Sequence, residues 1–321
     1  MNTNRSRLAL CLTLLGSICV LGACSGMKPA HPPLATVDGR NGHFGMGRII
    51  RLDTGEAVSF EALIAQLNSK EVIFVGEVHD NPEHHLIQVQ ILQALTHRYG
   101  SMPVAMEFFE RPQQPIINRY MSGELDEDAF LKEVDWQGTW GFDYHFYRPL
   151  VLHTKLQGER LLAINAPRNI VRMVARVGLD GLAPKERARL ASRIDLTDET
   201  HRAYMREIYR IHTHSDLEQF DYFYEAQCVW EDTMAENIAA HLKEAGGRIA
   251  VFCGNGHIMN RYGIPDRTRN RVPVSMAVIL LHPLAEDVAF NKEAGDYVWL
   301  TGDAPRRRPM RMPKRHGKAE R

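Results

Sequence analysis

The chain has 321 residues, and its 39 Lys and Arg side chains balance 39 Asp and Glu side chains, so the formal net charge is zero. This length suffices for one large domain, or for one domain with a sizeable insertion. Beyond residue 23 no apolar run is long enough to span a membrane, which excludes a chain with several membrane-spanning helices.

The amino-terminal segment predicts an exported protein that carries a lipid. Arg5 and Arg7 precede an apolar run over residues 8–21, a pattern typical of a secretory signal peptide. The run ends in LGAC, which resembles a bacterial lipobox and implies removal of residues 1–23 and attachment of a lipid such as palmitate at Cys24. An ordinary signal peptide followed by a chance cysteine is the alternative.

The residue after this cysteine favours one membrane. Ser25 stands where an aspartate would retain a lipoprotein at the inner membrane, so the resemblance to lipoprotein sorting implies the outer membrane of a Gram-negative cell, facing the periplasm. An exported lipoprotein seldom meets nucleic acid, and we therefore expect no nucleic-acid partner.

Two polar segments flank the predicted domain, residues 47–303. Residues 24–46 are rich in Pro, Gly and polar residues, which indicates a tether between lipid and domain. Residues 304–321 hold eight Lys and Arg and one Glu, which predicts a disordered basic tail that is either simply solvated or contacts anionic headgroups. Without the +7 of this tail and the +2 of the signal peptide, residues 24–303 carry a net charge of −9.

The domain opens with patterns that predict strands followed by helices. GRIIRLDTGEAVSFEALIAQL predicts a strand, a turn and a helix capped by Ser59, and EVIFVGE predicts a strand buried on both faces, as in a parallel sheet. NPEHHLIQVQILQALTHRYG predicts a helix with Asn81 at the N-cap and Pro82 at the first helical position.

The later segments continue this alternation. Further strands are predicted for PVAMEFF, RLLAINAP, RIAVFCGNGHI, PVSMAVILLHPL and DYVWLTG, and further helices for RPQQPIINRYMSG and RNIVRMVARVG. The alternation predicts an α/β domain with a mostly parallel sheet flanked by helices. Helical patterns, APKERARLASRI among them, dominate residues 121–243 and predict a smaller inserted helical subdomain.

Polar residues follow four of the predicted buried strands. They are Glu77 and His79, then Glu107, then Asn165 and Pro167, and finally Asn255 and His257. Parallel sheets bind ligands at the carboxyl ends of their strands, so this coincidence predicts a functional cleft. Two histidines with Glu77 and Glu107 would suit either a divalent metal or general acid–base chemistry.

Four other residues leave alternatives open. His84 and His85 begin the helix after GEVH, where they are either part of the site, with a pKa lowered by the helix N-terminus, or exposed first-turn residues. Cys228 and Cys253 either pair in an oxidising periplasm or stay as free thiols, with Cys253 in the core.

Five segments together resemble the ChaN-type haem-binding lipoproteins, which are tied to haem and iron uptake in Gram-negative bacteria. They are VIFVGEVHDNPEHHLIQVQIL, VAMEFFERPQQ, WGFDYHFYRPLVLHTK, LLAINAPR and FCGNGHIMNRYGIP, and the resemblance extends from about Gly47 to Leu284. The wider superfamily includes TIKI-type metal-dependent proteases, TraB-like proteins and erythromycin esterases. The resemblance implies an α/β core with a helical domain, and haem held as a face-to-face pair in a homodimer, with tyrosine on iron.

The stretch DWQGTWGFDYHFYRPL is the first candidate for the haem contacts. Tyr144 or Tyr147 would ligate iron, His145 would donate to the phenolate, and Arg148 would meet a propionate. The aromatic walls would be Trp136, Trp140, Phe142 and Phe146, and His79 is a further candidate contact. The alternative is that these aromatic residues form a small core. A second candidate is DYFYEAQ, with Tyr222 and Tyr224.

Three functions follow from these patterns. The first is a haem-binding lipoprotein acting in haem or iron acquisition, storage or relay at the outer membrane. The second is a metal-dependent hydrolase, peptidase-like or esterase-like, that uses the Glu and His residues at the strand ends. The third is a scaffold with a vestigial site. The sequence contains no HExxH motif, nucleophile elbow or Walker loop, so the better-known hydrolase classes gain no support.

Overall fold

The computed structural model describes residues 31–211 and 219–303. This part of the chain contains ten strands and eleven α-helices. The strands are β1 Ala35–Val37, β2 Ile49–Arg51, β3 Glu56–Val58, β4 Val72–Val75, β5 Val104–Glu110, β6 Leu161–Asn165, β7 Ile249–Phe252, β8 Met276–Pro283, β9 Val288–Phe290 and β10 Tyr297–Thr301. The helices are α1 Phe60–Gln66, α2 Pro82–Tyr99, α3 Gln114–Met121, α4 Glu127–Glu133, α5 Trp136–Thr139, α6 Tyr144–Leu156, α7 Arg168–Val177, α8 Pro184–Arg187, α9 Glu199–Ile211, α10 Phe220–Ala245 and α11 Ile264–Arg269. The predicted signal peptide, Cys24 and the basic tail lie outside the described residues.

The centre of the fold is an eight-stranded sheet in the order β3-β2-β10-β8-β4-β7-β5-β6. The six strands from β10 to β6 are mutually parallel, and only β2 and β3 run antiparallel to their neighbours. This confirms the predicted α/β class with a mostly parallel sheet flanked by helices. Strand β4 lies between β8 and β7, so its carboxyl end opens near the middle of the sheet.

Strand β4 is an uninterrupted apolar run because both of its faces are covered. Ile73 and Val75 belong to a core with α1 to α6, whereas Val72 and Phe74 belong to a second core with α10 and α11. All four side chains are completely buried. Burial of a Val, Ile or Phe side chain contributes about 1.5–3 kcal/mol, so the central strand holds the two layers of helices to the sheet.

The helix-rich stretch predicted for residues 121–243 contains α4 to α9 and most of α10, and also β6, which joins the central sheet at its edge. Helix α6 packs beside α2 in the first core, and α10 packs on β6, α7 and α11. Among the described helices, none combines the length and apolar character needed to cross a bilayer.

Part of the predicted tether is folded. Ala35, Thr36 and Val37 form β1, which pairs with β9, and the Ala35 and Phe44 backbones exchange two hydrogen bonds. Ala35 and Val37 are buried in the second core, so the domain begins about a dozen residues before the predicted boundary at residue 47. The sequence prediction failed because a three-residue strand among Pro, Gly and polar residues gives almost no periodic signal.

Candidate functional site

The polar residues at the strand ends meet in one cleft. A cavity of about 290 Å³ is lined by His79, Glu107 and His257, with Trp140, Phe142 and Trp230 among its walls. Parallel strands β4, β5 and β7 deliver these polar residues because their carboxyl ends lie side by side. The predicted cleft therefore exists, with aromatic walls from α10 and from the segment between α5 and α6.

Close backbone approach fixes the loop after β4. A Cβ on Gly76 would lie 2.0 Å from Asn255 Oδ1, so only glycine leaves room for this side chain. The Asn255 amide donates to the Leu281 carbonyl, and its backbone N–H donates to the Glu77 carbonyl at 2.9 Å. Asn255 thus ties the segment after β4 to the segment after β7, and it does not line the cleft.

Glu107 is aimed by an irregularity in β5. The pairing register with β6 shifts between Met106 and Glu110, as in a β-bulge. Glu107 Oε2 then accepts the Gly254 N–H at 2.6 Å, and Asn165 donates its side-chain amide to the Glu107 carbonyl. Burial would raise the pKa of Glu107, but the charge of His257, with help from His79 and the Gly254 N–H, lowers it to about 2.

His257 lies between two buried carboxylates. Its Nε2 is 3.4 Å from Glu107 Oε1, and its Nδ1 is 3.6 Å from Glu231 Oε1 on α10. Burial would lower the pKa of His257, but Glu107 and Glu231 outweigh it and raise the pKa to about 10. The two carboxylates therefore favour the protonated ring, and a doubly protonated ring has no lone pair to offer to a metal ion.

His79 is oriented by Glu77. Its Nδ1 lies 2.8 Å from Glu77 Oε1, and a third of its side chain is exposed to the cleft beside Trp140 and Phe142. Burial alone would lower the pKa of His79, but the hydrogen bond to Glu77 and the charge of Glu107 give a net upward shift. A carboxylate on Nδ1 leaves Nε2 as the ring nitrogen that can exchange protons with a ligand in the cleft.

His84 and His85 are not exposed first-turn residues. Both are buried at the start of α2, with exposures of 0% and 2%. Val78 donates its N–H to His84 Nδ1, and His85 Nε2 lies 3.1 Å from the His79 carbonyl. The exposed interpretation was wrong because the loop after β4 folds back over the first turn of the helix and hides it.

The predicted metal site does not assemble. In residues 31–211 and 219–303, no three His, Cys, Asp or Glu side chains are arranged to hold a metal ion. Glu77 and Glu107 already hold His79 and His257 respectively, and the raised pKa of His257 disfavours the neutral ring that a metal ion needs. The acid–base interpretation of these residues fits the geometry better than the divalent-metal interpretation.

Tyr147 is not placed to bind haem iron. The residue is completely buried, and its hydroxyl lies 3.3 Å from Glu77 Oε1 and 3.4 Å from the His79 carbonyl. Burial and the charge of Glu77 raise the pKa of Tyr147 far above its ordinary value. Its ring belongs to the first core, which was the alternative interpretation of the aromatic cluster.

The other α6 candidates lie away from the cleft. Tyr144 is buried and Arg148 donates to both oxygens of Glu127, which also accepts the Tyr144 hydroxyl at 3.5 Å. His145 is largely exposed, and its Nδ1 lies 2.9 Å from Asp143 rather than beside a phenol. Tyr144 shares a face of α6 with Tyr147 and belongs to the same first core, whereas His145 and Arg148 lie on other faces of the helix.

The second pair of candidate tyrosines and the two cysteines of the domain lie in packed parts of the protein. Tyr224 is completely buried and donates to the Asp198 carbonyl, while the half-buried Tyr222 ring lies against Gly178. Cys228 and Cys253 are both free and buried, and Arg267 donates to Cys228 Sγ. The free-thiol alternative is the one observed for this pair.

A groove that the sequence did not indicate lies between α9 and α10. It has a volume of about 240 Å³, its lining includes Tyr204, Ile208 and Phe223, and His257 lines both this groove and the cleft. The Tyr204 hydroxyl donates to Met259 Sδ at 3.4 Å, a weak acceptor. The spacing of residues 204, 208 and 211 along one helix face could have revealed it.

Known proteins resemble this chain in sequence and in fold. Residues 63–268, more than half of the chain, match the model of the family described as haem-binding uptake, Tiki superfamily, ChaN. The structure is similar to ChaN of Campylobacter jejuni, described as binding haem cofacially, with a TM-score of 0.62 and 21% identity over 78% of this chain and 95% of that chain. At this identity the likeness concerns the fold.

Two more distant similarities accompany this match. The erythromycin esterase EreC has a TM-score of 0.44 and 12% identity over 69% of this chain and 72% of that chain. Protein RETICULATA-RELATED 5, chloroplastic, of Arabidopsis thaliana is 22% identical over 268 residues, which is 75% of this chain. The chain spans only 35% of the length of that curated relative.

The family match confirms the resemblance inferred from the strand-end and aromatic segments, and the similar fold agrees with it. The chain belongs to the ChaN family of haem-binding uptake proteins within the Tiki superfamily.

Proposed function

We propose that this protein binds haem and acts in haem or iron acquisition, storage or relay. The family match over residues 63–268 is the observation that carries the proposal. In this proposal the lipid on Cys24 holds the domain at the outer membrane, facing the periplasm. The α6 residues first predicted to hold haem do not fit that role, because Tyr144 and Tyr147 are buried and bonded to carboxylates.

The groove between α9 and α10 fits part of a porphyrin better. Tyr204 offers a phenol whose present acceptor is only a thioether, and tyrosinate is the axial ligand of ferric haem in catalase. Ile208 and Phe223 offer apolar walls. When bound, the ferric iron supplies the positive charge that favours the ionised phenol.

The size of the groove supports a homodimer around the haem. At about 240 Å³ it is smaller than the roughly 300–1,000 Å³ of pockets for drug-sized ligands, so it can cover only part of a porphyrin. Ile211, one turn beyond Ile208 on α9, is 75% exposed and extends the apolar side of this helix. In the proposal a second protomer covers this apolar face and the rest of the haem.

Haemin titration tests both the function and the ligand. We expect the wild type to give a tyrosinate-type visible spectrum, and Tyr204→Phe to lose that spectrum and bind about tenfold more weakly or worse, a loss of about 1.4 kcal/mol. Tyr144→Phe is the matched control, because its hydroxyl makes only a long hydrogen bond away from the groove. No Soret change in the wild type at micromolar haemin rejects haem binding, whereas an unchanged spectrum in Tyr204→Phe rejects only the ligand assignment.

The cleft favours a second candidate function, hydrolysis by general acid–base catalysis. The supporting observation is that Glu77 orients His79 at 2.8 Å while His257, whose pKa two carboxylates raise, lines the same cavity. His79 would take a proton from water through Nε2, and His257 would stabilise a developing oxyanion. The aromatic walls Trp140 and Phe142 suit an ester with an apolar acyl group.

Aryl-ester hydrolysis before and after chelation tests this second function. We expect any activity to survive removal of metals by a chelator and to fall about a hundredfold or more in His79→Ala, as for loss of a general base. Tyr204→Phe serves as the control, since its side chain lies in the other groove. Turnover equal to the buffer blank, or turnover restored only by added Zn²⁺, would reject the metal-free mechanism.

A further inference from the structure

Arg168 is a cation in the cleft that takes no part in the acid–base arrangement. It is the first residue of α7, shortly after β6, and it lines the same cavity of about 290 Å³ as His79 and His257. Its half-buried guanidinium donates through Nη1 to the Thr139 carbonyl at 2.9 Å, and its remaining N–H groups have no partner among the described residues. Arginine carries five N–H donors and stays protonated in proteins, so the cleft contains charged donors that are not yet satisfied.

Arg168 also lacks the carboxylate partner that other half-buried arginines have. Arg111 pairs with Glu236 at 3.1 Å. Arg261 pairs with Asp296 at 2.9 Å. Arg168 makes no such ion pair within the described part of the chain. A guanidinium binds a carboxylate through two parallel N–H···O bonds, and these donors of Arg168 are left for an anion from solution.

The charges around Arg168 favour an anion at this end of the cavity. Glu110 lines the cavity too, but its Oε1 accepts the Arg168 backbone N–H at 2.9 Å, and the charges of Arg168 and Arg189 both act on it. Arg172, one turn further along α7, is near enough for its charge to act on Arg168. Three arginines around one carboxylate give a net positive charge, which attracts anionic ligands.

The rest of the cavity selects the body of such an anion. Four aromatic side chains wall it, namely Phe108, Trp140, Phe142 and Trp230. Its volume of about 290 Å³ lies just below the roughly 300–1,000 Å³ of pockets for drug-sized ligands, so it suits a short chain rather than a porphyrin. Strand β4, which leads to His79, and strand β6, which leads to Arg168, are three strand spacings apart, about 14 Å between backbones. The two side chains bridge part of this distance, and a short aliphatic acid spans the rest.

We propose that the cleft binds a small organic acid with an apolar body, and that Arg168 recognises its carboxylate. The Thr139 carbonyl holds one edge of the guanidinium, and the free N–H groups donate to the two carboxylate oxygens. The aromatic walls cover the chain of the acid. This inference concerns binding, so it goes beyond haem uptake and does not depend on whether the cleft hydrolyses esters.

Tryptophan fluorescence during titration with hexanoate tests the proposal, because Trp140 and Trp230 line the cavity and hexanoate does not fluoresce. We expect saturable binding of hexanoate to the wild type. Hexanamide and hexylammonium share the six-carbon chain but not the negative charge, and they should bind about tenfold more weakly or worse. Equal affinity for the three compounds, or no saturable change with hexanoate, would overturn the proposal.

Arg168→Gln tests the assigned residue. We expect its affinity for hexanoate to fall about tenfold or more, while its affinity for hexanamide stays that of the wild type, because only the charge-assisted bonds are lost. Arg176→Gln is the matched control, since it removes an exposed arginine from the last turn of the same helix and should leave hexanoate binding unchanged. Unchanged hexanoate binding in Arg168→Gln contradicts the assignment. If that variant does not fold, Arg168→Lys replaces it and should also weaken binding, because an ammonium cannot form two parallel bonds.

Haemin distinguishes a free organic acid from a haem propionate, which carries the same carboxylate. Calorimetry is the method for this comparison, because haemin quenches tryptophan fluorescence. One equivalent of haemin should leave the affinity for hexanoate unchanged, since the cavity is too small for a porphyrin. Displacement of hexanoate by haemin would refute a separate acid site and would assign Arg168 to a propionate of haem.

Discussion

At the scale of single residues, the charge of His257 depends on two carboxylates from different parts of the chain. Glu107 comes from β5 and Glu231 from α10, and Arg267 on α11 holds the far oxygen of Glu231 at 3.2 Å. Removing one partner of a buried ion pair typically costs about 3–5 kcal/mol, because the other charge is left buried without compensation. The network therefore links the cleft to the helices beneath it.

This network makes stability depend on pH. The pKa of histidine is about 6.5 in an unfolded chain, and the folded structure raises that of His257 to about 10. The protonated His257 therefore contributes to the free energy of unfolding in full below pH 6.5, and this contribution is lost as the pH rises through about 10. We expect the free energy of unfolding to fall by a few kcal/mol between pH 7 and pH 10, measured by urea denaturation.

The variant His257→Gln isolates this contribution. It should be less stable than the wild type at pH 7, and the difference between the two proteins should shrink toward pH 10, because the wild type loses its proton there. Tyr and Lys side chains titrate in both proteins, so the difference between the curves is the quantity that matters. Parallel curves from pH 7 to pH 10 would contradict the raised pKa.

At the scale of elements, the first turn of α2 positions the site. The Asn81 side chain accepts the Glu83 N–H and donates to the Gly302 carbonyl, so it caps the helix and also ties it to the residue after β10. The Glu83 carboxylate in turn accepts the Gly302 N–H at 2.7 Å. These bonds close the loop that carries Glu77 and His79 over the sheet.

Replacing the Asn81 cap should lower the free energy of unfolding more than replacing an N-cap residue that makes only the capping hydrogen bond. We expect Asn81→Ala to lower the free energy of unfolding by about 2–3 kcal/mol, the sum of a lost N-cap and a lost buried hydrogen bond. Ser59→Ala at the exposed start of α1 is the matched control and should cost about 1 kcal/mol, since Ser59 only accepts the Ala62 N–H. Equal losses in urea denaturation would show that the tie to Gly302 contributes nothing.

Two predicted elements differ from the observed ones for physical reasons. APKERARLASRI was predicted to be helical, but only Pro184–Arg187 forms a helix, and the Ala191 N–H donates instead to Thr233 on α10. Strand β1 was missed because its pairing partner, β9, lies more than 250 residues away. In both cases contacts with distant residues outweighed local propensity.

At the scale of the whole molecule, the lipid is expected to decide where the protein resides. Replacing Cys24 by Ala removes the only atom predicted to carry acyl chains, so the protein should lose palmitate labelling and move from the membrane fraction to the soluble fraction. Cys253→Ala is the control, because this thiol is buried in the folded domain and should leave fractionation unchanged. A membrane-bound, unlabelled Cys24→Ala protein would exclude lipidation as the anchor.

The sequence by itself determined the α/β class and the family. It also determined that the polar residues at four strand ends lie close together, because buried parallel strands and their terminal residues are local signals. Tertiary structure alone decided which groups pair across the cleft, such as His257 with Glu231, 26 residues apart in sequence but on different elements. It also decided that Tyr147 is core and Tyr204 lines a groove, since one helical pattern does not say which neighbour covers each face. The raised pKa of His257 follows from those neighbours, and therefore only from the folded chain.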